Sequence, residues 1–358
     1  MSVSTTSSAP FRPEITIRAL READLREADR IVRLAFGTFL GLPDPMKFMG
    51  DAEYVRTRWL ANPPAALAAE MAGALAGTNF ATRWGSVGFF GPLTIRPDLW
   101  DRGVAQKLLR PTMDLFADWR VTHAGLFTFA NSTKHVTLYQ KFGFWPRFLT
   151  CLMELPLPSD SAAGTPQWMR FSALSVDEKR EAVKACSDLT DSIYEGLDLE
   201  LEIRAVDNQK LGDTVLTWNG SRLAGMAVCH TGAGTEAGSG KCYIKFAAVR
   251  SGADAPRELR RLIGACRELA HLRGARTLSA GVNLARLDAY REMLQAGFRT
   301  TSQGVAMERN GDAGYNRPEV FLIEKALICR ADDHLRSFGQ RREPEFRFGE
   351  CADRTTRR

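Results

Sequence analysis

Two periods alternate along the chain, one of strands and one of helices, and they return in the same order in its two halves. Ile15, Ile17 and Ala19 alternate as in a strand. Within residues 23–40, Leu25, Ala28, Ile31, Val32, Ala35 and Phe36 then recur at the spacing of one helix face. Residues 84–95 read as a strand that stops at the Arg96-Pro97 turn. Residues 103–119 read as a helix with Val104, Leu108, Leu109, Leu115 and Phe116 on one face; a strand at 125–129 and a helix at 132–142 follow. Pro111 lies inside the 103–119 helix, where a missing N–H predicts a kink.

At residues 156–167 Pro, Ser, Ala and Gly replace the apolar pattern and predict a linker. Beyond it come a helix at 176–194 and a hairpin of 213–218 with 222–230 around Asn219-Gly220. A strand at 242–249, a helix at 257–273, a strand at 278–282 and a helix at 284–294 follow, with closing strands at 304–307 and 320–327. The repeated order predicts an α/β (α+β) chain of two tandem domains, each a mixed central sheet flanked by helices. Their expected bounds are 12–155 and 168–330, joined by the linker 156–167 and followed by a polar tail at 331–358. The second sheet is expected to dock beside the first.

Composition adds exclusions. At 358 residues with 44% hydrophobic and 25% charged positions, the chain can bury two ordinary cores and is neither collagen-like nor wholly disordered. No run reaches the ~20 apolar residues of a membrane span, since the stretch at 65–76 is broken by Glu70 and Gly73. The Ser/Thr-rich first ten residues lack a basic, apolar leader, so a cytoplasmic location is expected. Seven cysteines without a C-x-x-C pair argue against zinc and against a disulfide framework, and Cys229, Cys242 and Cys266 lie in apolar segments suited to core packing.

The net charge of +6 is local, because residues 241–276 hold nine basic side chains against three acidic ones. Leu259, Leu262, Ile263, Cys266 and Leu269 recur there at helical spacing, which reads as a helix with a solvated basic face; contact with a partner or polyanion is the alternative. Aromatic residues do not interleave with the charges, which argues against nucleic acid. The glycine-rich stretch 232–240 precedes a strand rather than a helix, so it reads as a flexible strand-to-strand loop and not a phosphate loop.

The chemistry concentrates at residues 93–109, where a strand ends, turns and enters a helix through Arg102-Gly103-Val104-Ala105. Backbone N–H groups at such a helix start, with the macrodipole behind them and small residues allowing close approach, suit a pyrophosphate. Downstream, Leu138-Tyr139-Gln140-Lys141-Phe142-Gly143-Phe144 is a helix that ends on glycine and leads into an aromatic strand.

Together these segments resemble motifs A and B of the GNAT superfamily of N-acetyltransferases. Ile95-Arg96-Pro97 stands as the V-x-P of motif A, and Gly103 with Ala105 as its G-x-A; Trp100 departs from the family's Gln or Arg. In the second half, residues 283–298, with Tyr290 and Gly297-Phe298, resemble motif B, while Arg250 to Pro256 lacks the motif A turn. The resemblance implies one competent, acetyl-CoA-binding domain followed by a degenerate copy, with acetyl-CoA as co-substrate, an amine acceptor and no metal. It places the coenzyme on Leu93, Thr94, Ile95, Asp101, Arg102, Gly103, Val104, Ala105 and Gln106, with Ser132 near the position of a coenzyme-contacting Asn.

The resemblance further implies that Tyr139 protonates the departing thiolate while the N–H of Thr94 or Ile95 polarises the thioester carbonyl; the alternative for Tyr139 is an aromatic packed at a helix end. For the base, Glu70 in its apolar stretch and His135 one turn before Tyr139 are both candidates, as is a water relay. Two functions are compatible with these residues: an N-acetyltransferase whose second domain shapes the acceptor cleft, or a non-catalytic acyl-CoA-binding or protein-interaction module.

Overall fold

The computed structural model describes residues 14–158 and 168–324. Most of the expected linker (159–167) and the polar tail (331–358) lie outside them. The first half runs β1 (Ile15–Ala19), α1 (Leu25–Phe39), α2 (Val55–Ala61), β2 (Ala66–Met71), β3 (Ala74–Trp84), β4 (Val87–Phe90), β5 (Thr94–Ile95), α3 (Val104–Asp118), β6 (His123–Thr128), α4 (Thr133–Gln140) and β7 (Phe144–Pro156). The second runs β8 (Met169–Arg170), α5 (Val176–Asp191), α6 (Glu200–Gln209), β9 (Gly212–Asn219), β10 (Arg222–Gly232), β11 (Gly238–Val249), α7 (Ala255–Leu272), β12 (Thr277–Asn283), α8 (Leu287–Gln295), β13 (Arg299–Arg309) and β14 (Leu322–Glu324).

One-sided helices form where the pattern is strongest. α1 buries Leu25, Ala28, Ile31 and Val32 on a single face, and α5 starts on a capping box in which Ser175 and Glu178 satisfy each other's backbone N–H groups. α3 continues unbroken through Pro111, and the Thr112 hydroxyl donates to the Leu108 carbonyl at 2.8 Å. The expected strand at 84–95 is instead the end of β3, a turn at Gly85, and the separate strands β4 and β5. Pro92, which has no N–H to give a sheet, falls in the break between them.

The halves repeat but do not stand as two sheets side by side. All fourteen strands belong to one sheet with the path β1-β2-β3-β4-β6-β13-β7-β12-β11-β10-β9-β8; β5 pairs with β3 and β14 with β11 off that path. The same parallel pairing occurs in each half, β4 with β6 and β11 with β12. The closing strands, however, are exchanged. β13 of the second half lies against β6 of the first, with Val305 opposite Thr128, and β7 of the first lies against β12 of the second, with Cys151 opposite Val282. β7 and β13 also pair with each other, so every backbone edge at the centre is satisfied only by both halves together.

The cores are shared in the same way. Trp84, Val87 and Phe89 of the first half pack with α5 and α6 residues of the second, and the Trp84 ring meets Phe246 at 5.4 Å. Cys229, Cys242 and Cys266 are fully buried in the core beneath α7. The basic segment is answered largely by the chain itself: Arg260 pairs with Glu292 at 2.7 Å and Arg261 donates to the Trp218 carbonyl. The glycine-rich loop does join β10 to β11, yet it is stitched to the first half, Glu53 N–H donating to Thr235 O (2.9 Å) and Gly234 N–H to Asp51 O (3.1 Å).

A sheet completed by exchange should unfold as one unit. Calorimetry of the full chain is expected to give a single endotherm with calorimetric and van't Hoff enthalpies in agreement; two resolved endotherms would show that the halves hold together independently.

Candidate active site

The site begins where the sheet splits. β4 runs parallel to β6 from Val87 opposite His123 to Phe89 opposite Gly125, and there the pairing ends. The Gly91 N–H donates back to Phe80 O at 2.7 Å, Pro92 has no N–H, and β5 re-pairs only with β3. Gly77 makes that pairing possible, because a Cβ there would sit 2.4 Å from the Thr94 carbonyl oxygen. Past Gly125, β6 is engaged on its far edge by β13. The facing edges of β5 and β6 therefore diverge, and a cavity of about 590 Å³ lies between them.

Register fixes which backbone groups face it. Arg96 N–H donates to Ala76 O at 2.9 Å, making that pair a hydrogen-bonded one, and Gly77 opposite Ile95 is the next pair. Ile95 therefore turns its N–H and C=O away from β3, toward the cavity side. The indole Nε1 of Trp100 donates to this carbonyl at 2.9 Å. Trp100, which replaces the motif's Gln or Arg, is thus turned back onto the strand.

Leu93, Thr94 and Ile95 form one wall of the cavity. Asp101, Gly103, Val104, Ala105 and Gln106 form its end at the start of α3, and Tyr139 lies on the wall opposite β5. Gly103 sits at φ 78° ahead of the helix, and a Cβ placed on it would meet nothing within 4 Å, so the N–H groups of the first turn open onto free space. Two expected coenzyme contacts fall outside the lining. Arg102 is exposed on the turn, and Ser132 is occupied as the cap of α4, its Oγ accepting the His135 N–H at 3.4 Å.

Lys134 contributes what the sequence reading missed. It lines the cavity, pairs with Asp101 at 2.7 Å and lies 5.7 Å from the centre of the Trp100 ring. Both partners are largely exposed, so the pair itself adds little stability, and the ammonium is available to an anion. A cation in the first turn of a helix opposes the macrodipole, and that local misfit was the available signal.

Tyr139 is 8% exposed, its ring 5.7 Å from that of Phe90. Burial raises its pKa well above the usual tyrosine value, although the Thr128 hydroxyl works the other way, so at neutral pH the phenol keeps its proton. His135, one turn earlier, packs against Phe39 (4.9 Å) and Phe129 (6.2 Å). Burial lowers its pKa and Lys134 lowers it further, leaving a neutral imidazole in the cavity at pH 7. Glu70, the other candidate base, instead accepts from Arg18 at 2.8 Å on β2 and does not line the cavity.

The second half splits at the corresponding place, and its split is filled. β11 pairs with β12 from Lys241 opposite Thr277 to Tyr243 opposite Ser279 and no further. From Phe246 to Ala248, β10 covers one edge of β11 and β14 the other, so β14 lies in the gap on the β12 side. Its Glu324 carboxylate is held by the buried Arg286 (2.8 Å) and by the Tyr315 hydroxyl (2.7 Å).

Residues 31–144, which hold β4, β5, β6, α3 and α4 around the open split while β13 on the far edge of β6 lies outside them, match the acetyltransferase (GNAT) family. That stretch of the chain is similar to a GNAT-family domain. Beyond that stretch the likeness is structural. A protein of Pyrococcus horikoshii to which acetyltransferase activity is ascribed superposes with a TM-score of 0.63 at 14% identity, covering 90% of this chain and 98% of its own. A GCN5-related N-acetyltransferase of Sphaerobacter thermophilus superposes at 0.55 and 16% identity, covering 82% and 95%. At these identities the likeness establishes the GNAT fold. No curated protein matches the chain in sequence.

The open space at Gly103 gives a direct check on whether coenzyme A binds at this turn. Gly103→Glu should abolish coenzyme A binding in titration calorimetry while leaving the melting temperature within a few degrees, since the new carboxylate occupies that space and lies against the helix start.

Proposed function

We propose that the chain is an acetyl-CoA-dependent N-acetyltransferase with one active site, in the half expected at 12–155, and that the half at 168–330 is a degenerate copy whose coenzyme slot is closed. One observation carries this reading: the same split in the sheet is an open cavity beside a glycine-led helix in the first half and is filled by β14 in the second. The residues present suit the coenzyme. The N–H groups of Val104, Ala105 and Gln106 and the Lys134 ammonium favour a pyrophosphate, and the cleft between β5 and β6 suits an extended pantetheine arm. When bound, acetyl-CoA supplies the activated acetyl group.

The chain's own groups divide the remaining work. The Ile95 N–H donates to an acyl carbonyl oxygen on the cavity side. The imidazole of His135, neutral at pH 7, accepts a proton from an acceptor amine, and the Tyr139 Oη holds a proton for a leaving sulfur. The cavity is lined only by residues between Ala35 and Lys141, so the acceptor cleft is read as a property of the first half rather than one shaped by the second. The engagement of Trp100 with Ile95 leaves room for a second reading, a non-catalytic acyl-CoA-binding module, in which acetyl-CoA binds without releasing thiol.

A screen of amines with acetyl-CoA, read as free thiol, separates the two readings. Binding of coenzyme A is expected at one site per chain. Tyr139→Phe should lower kcat by about 10²- to 10⁴-fold with coenzyme affinity little changed, and an unaltered kcat would return Tyr139 to a packing role. Because the His135 base works unprotonated and its pKa lies below 6.5, kcat should be level at neutral pH and fall on acidification only below that value. His135→Gln should remove this acid limb.

A further inference from the structure

The vertex of the open split is held from the other half of the molecule. The Gly91 carbonyl, at the break between β4 and β5, accepts from Arg58 Nη1 on α2 at 2.8 Å. Arg58 is buried and does not line the cavity, so this carbonyl is turned out of it. The rest of the same guanidinium, Nε and Nη2, donates in parallel to the two carboxylate oxygens of Glu236 at 3.0 and 2.9 Å. Glu236 belongs to the loop between β10 and β11, and its side chain is 0% exposed. Lys245 on β11 bonds the same carboxylate at 3.0 Å and Glu202 on α6 at 2.6 Å, so each buried charge has a partner.

Burying such charges is costly, and an apolar replacement of similar volume is often as stable. What the pair supplies that apolar packing cannot is direction. A planar guanidinium gripped along its Nε–Nη2 edge by a bidentate carboxylate has its Nη1 fixed in place, and here Nη1 donates to the Gly91 oxygen. If that oxygen swung inward it would bring a partial negative charge toward the place where the Ile95 N–H meets an acyl oxygen. The loop is itself fixed: Thr235 donates to Gly232 O (2.8 Å) and accepts from Ala237 N–H (3.1 Å), which sets Glu236 beneath α2.

We propose that Glu236, in the second half, is a positioning residue for acetyl transfer in the first: through Arg58 it holds the Gly91 carbonyl out of the cavity and so sets the geometry of the split. The inference rests on the acetyltransferase reading. It also gives the degenerate half a part in the reaction that does not require it to touch substrate.

The test compares the full-length wild type with Arg58→Lys and with the double variant Arg58→Met/Glu236→Leu. The first keeps the charge but cannot reach both partners. The second removes the pair without leaving an unpaired charge between them, and Lys245 keeps Glu202. Melting temperature, coenzyme A affinity by calorimetry, KM for acetyl-CoA and kcat are measured. Expected is a loss in kcat of about 10- to 100-fold, with KM for acetyl-CoA and coenzyme affinity within about threefold of wild type and the fold intact, because the pyrophosphate end at α3 is untouched. A folded double variant with wild-type kcat overturns the inference, and so does a fall in coenzyme affinity in proportion to kcat, which marks a general loosening. A wild-type chain that releases no thiol from acetyl-CoA with any amine overturns the acetyltransferase reading instead, and this inference with it.

Discussion

Parallel neighbours can pair for a few residues and then part, and the cavity exists because β4 and β6 pair only as far as Phe89 and Gly125 and the chain turns away at Gly91. A strand that leaves one neighbour must find other partners for its N–H and C=O groups or strand them in the interior. β5 does so by turning wholly to β3, where Gly77 admits the close approach, and β6 does so by taking β13 on its far edge. The remaining groups, among them the Ile95 N–H, are left facing a cleft that a ligand can enter. Helix α3 then starts at the mouth of that cleft because the chain has just left the sheet. The second half obeys the same rule with the opposite result, since there β14 supplies the partners for β11.

The two halves are bound by more than the sheet. They exchange β7 and β13, share the core around Trp84 and Phe246, and join through the buried Arg58–Glu236 pair. Each link alone could be replaced by ordinary packing. Taken together they make the geometry of the open split depend on residues far from it, which is the form in which a copy without its own coenzyme turn can still bear on chemistry.

Legibility in the sequence followed locality. α1, α3 and α7 were readable because each buries one face, and the start of α3 because Gly103 and Ala105 stand where a turn needs small residues. Position in a motif did not place every residue in the cavity lining: Ser132 caps α4 and Arg102 is exposed on the turn. β3 left no period to read, since Leu75 to Ala81 are buried on both faces of the sheet. Glu70 looked like a lone acid in an apolar stretch until Arg18, from the neighbouring strand, was seen to take it. The strand exchange and the Arg58–Glu236 pair, 178 residues apart, depend on three-dimensional placement and have no local signature.

The exchange also orders events in time. Thr128 on β6 faces Val305 on β13, so 305 − 128 = 177 residues separate a wall of the cavity from the strand that completes it. At about 5–20 residues per second, a ribosome needs roughly 10 to 35 s to deliver them. Through that interval the first half is a nascent sheet with an unpaired edge beside its future cleft, and long-range pairings of this kind are slow to form and open to mispairing. The half that holds the open cleft is made first and finished last.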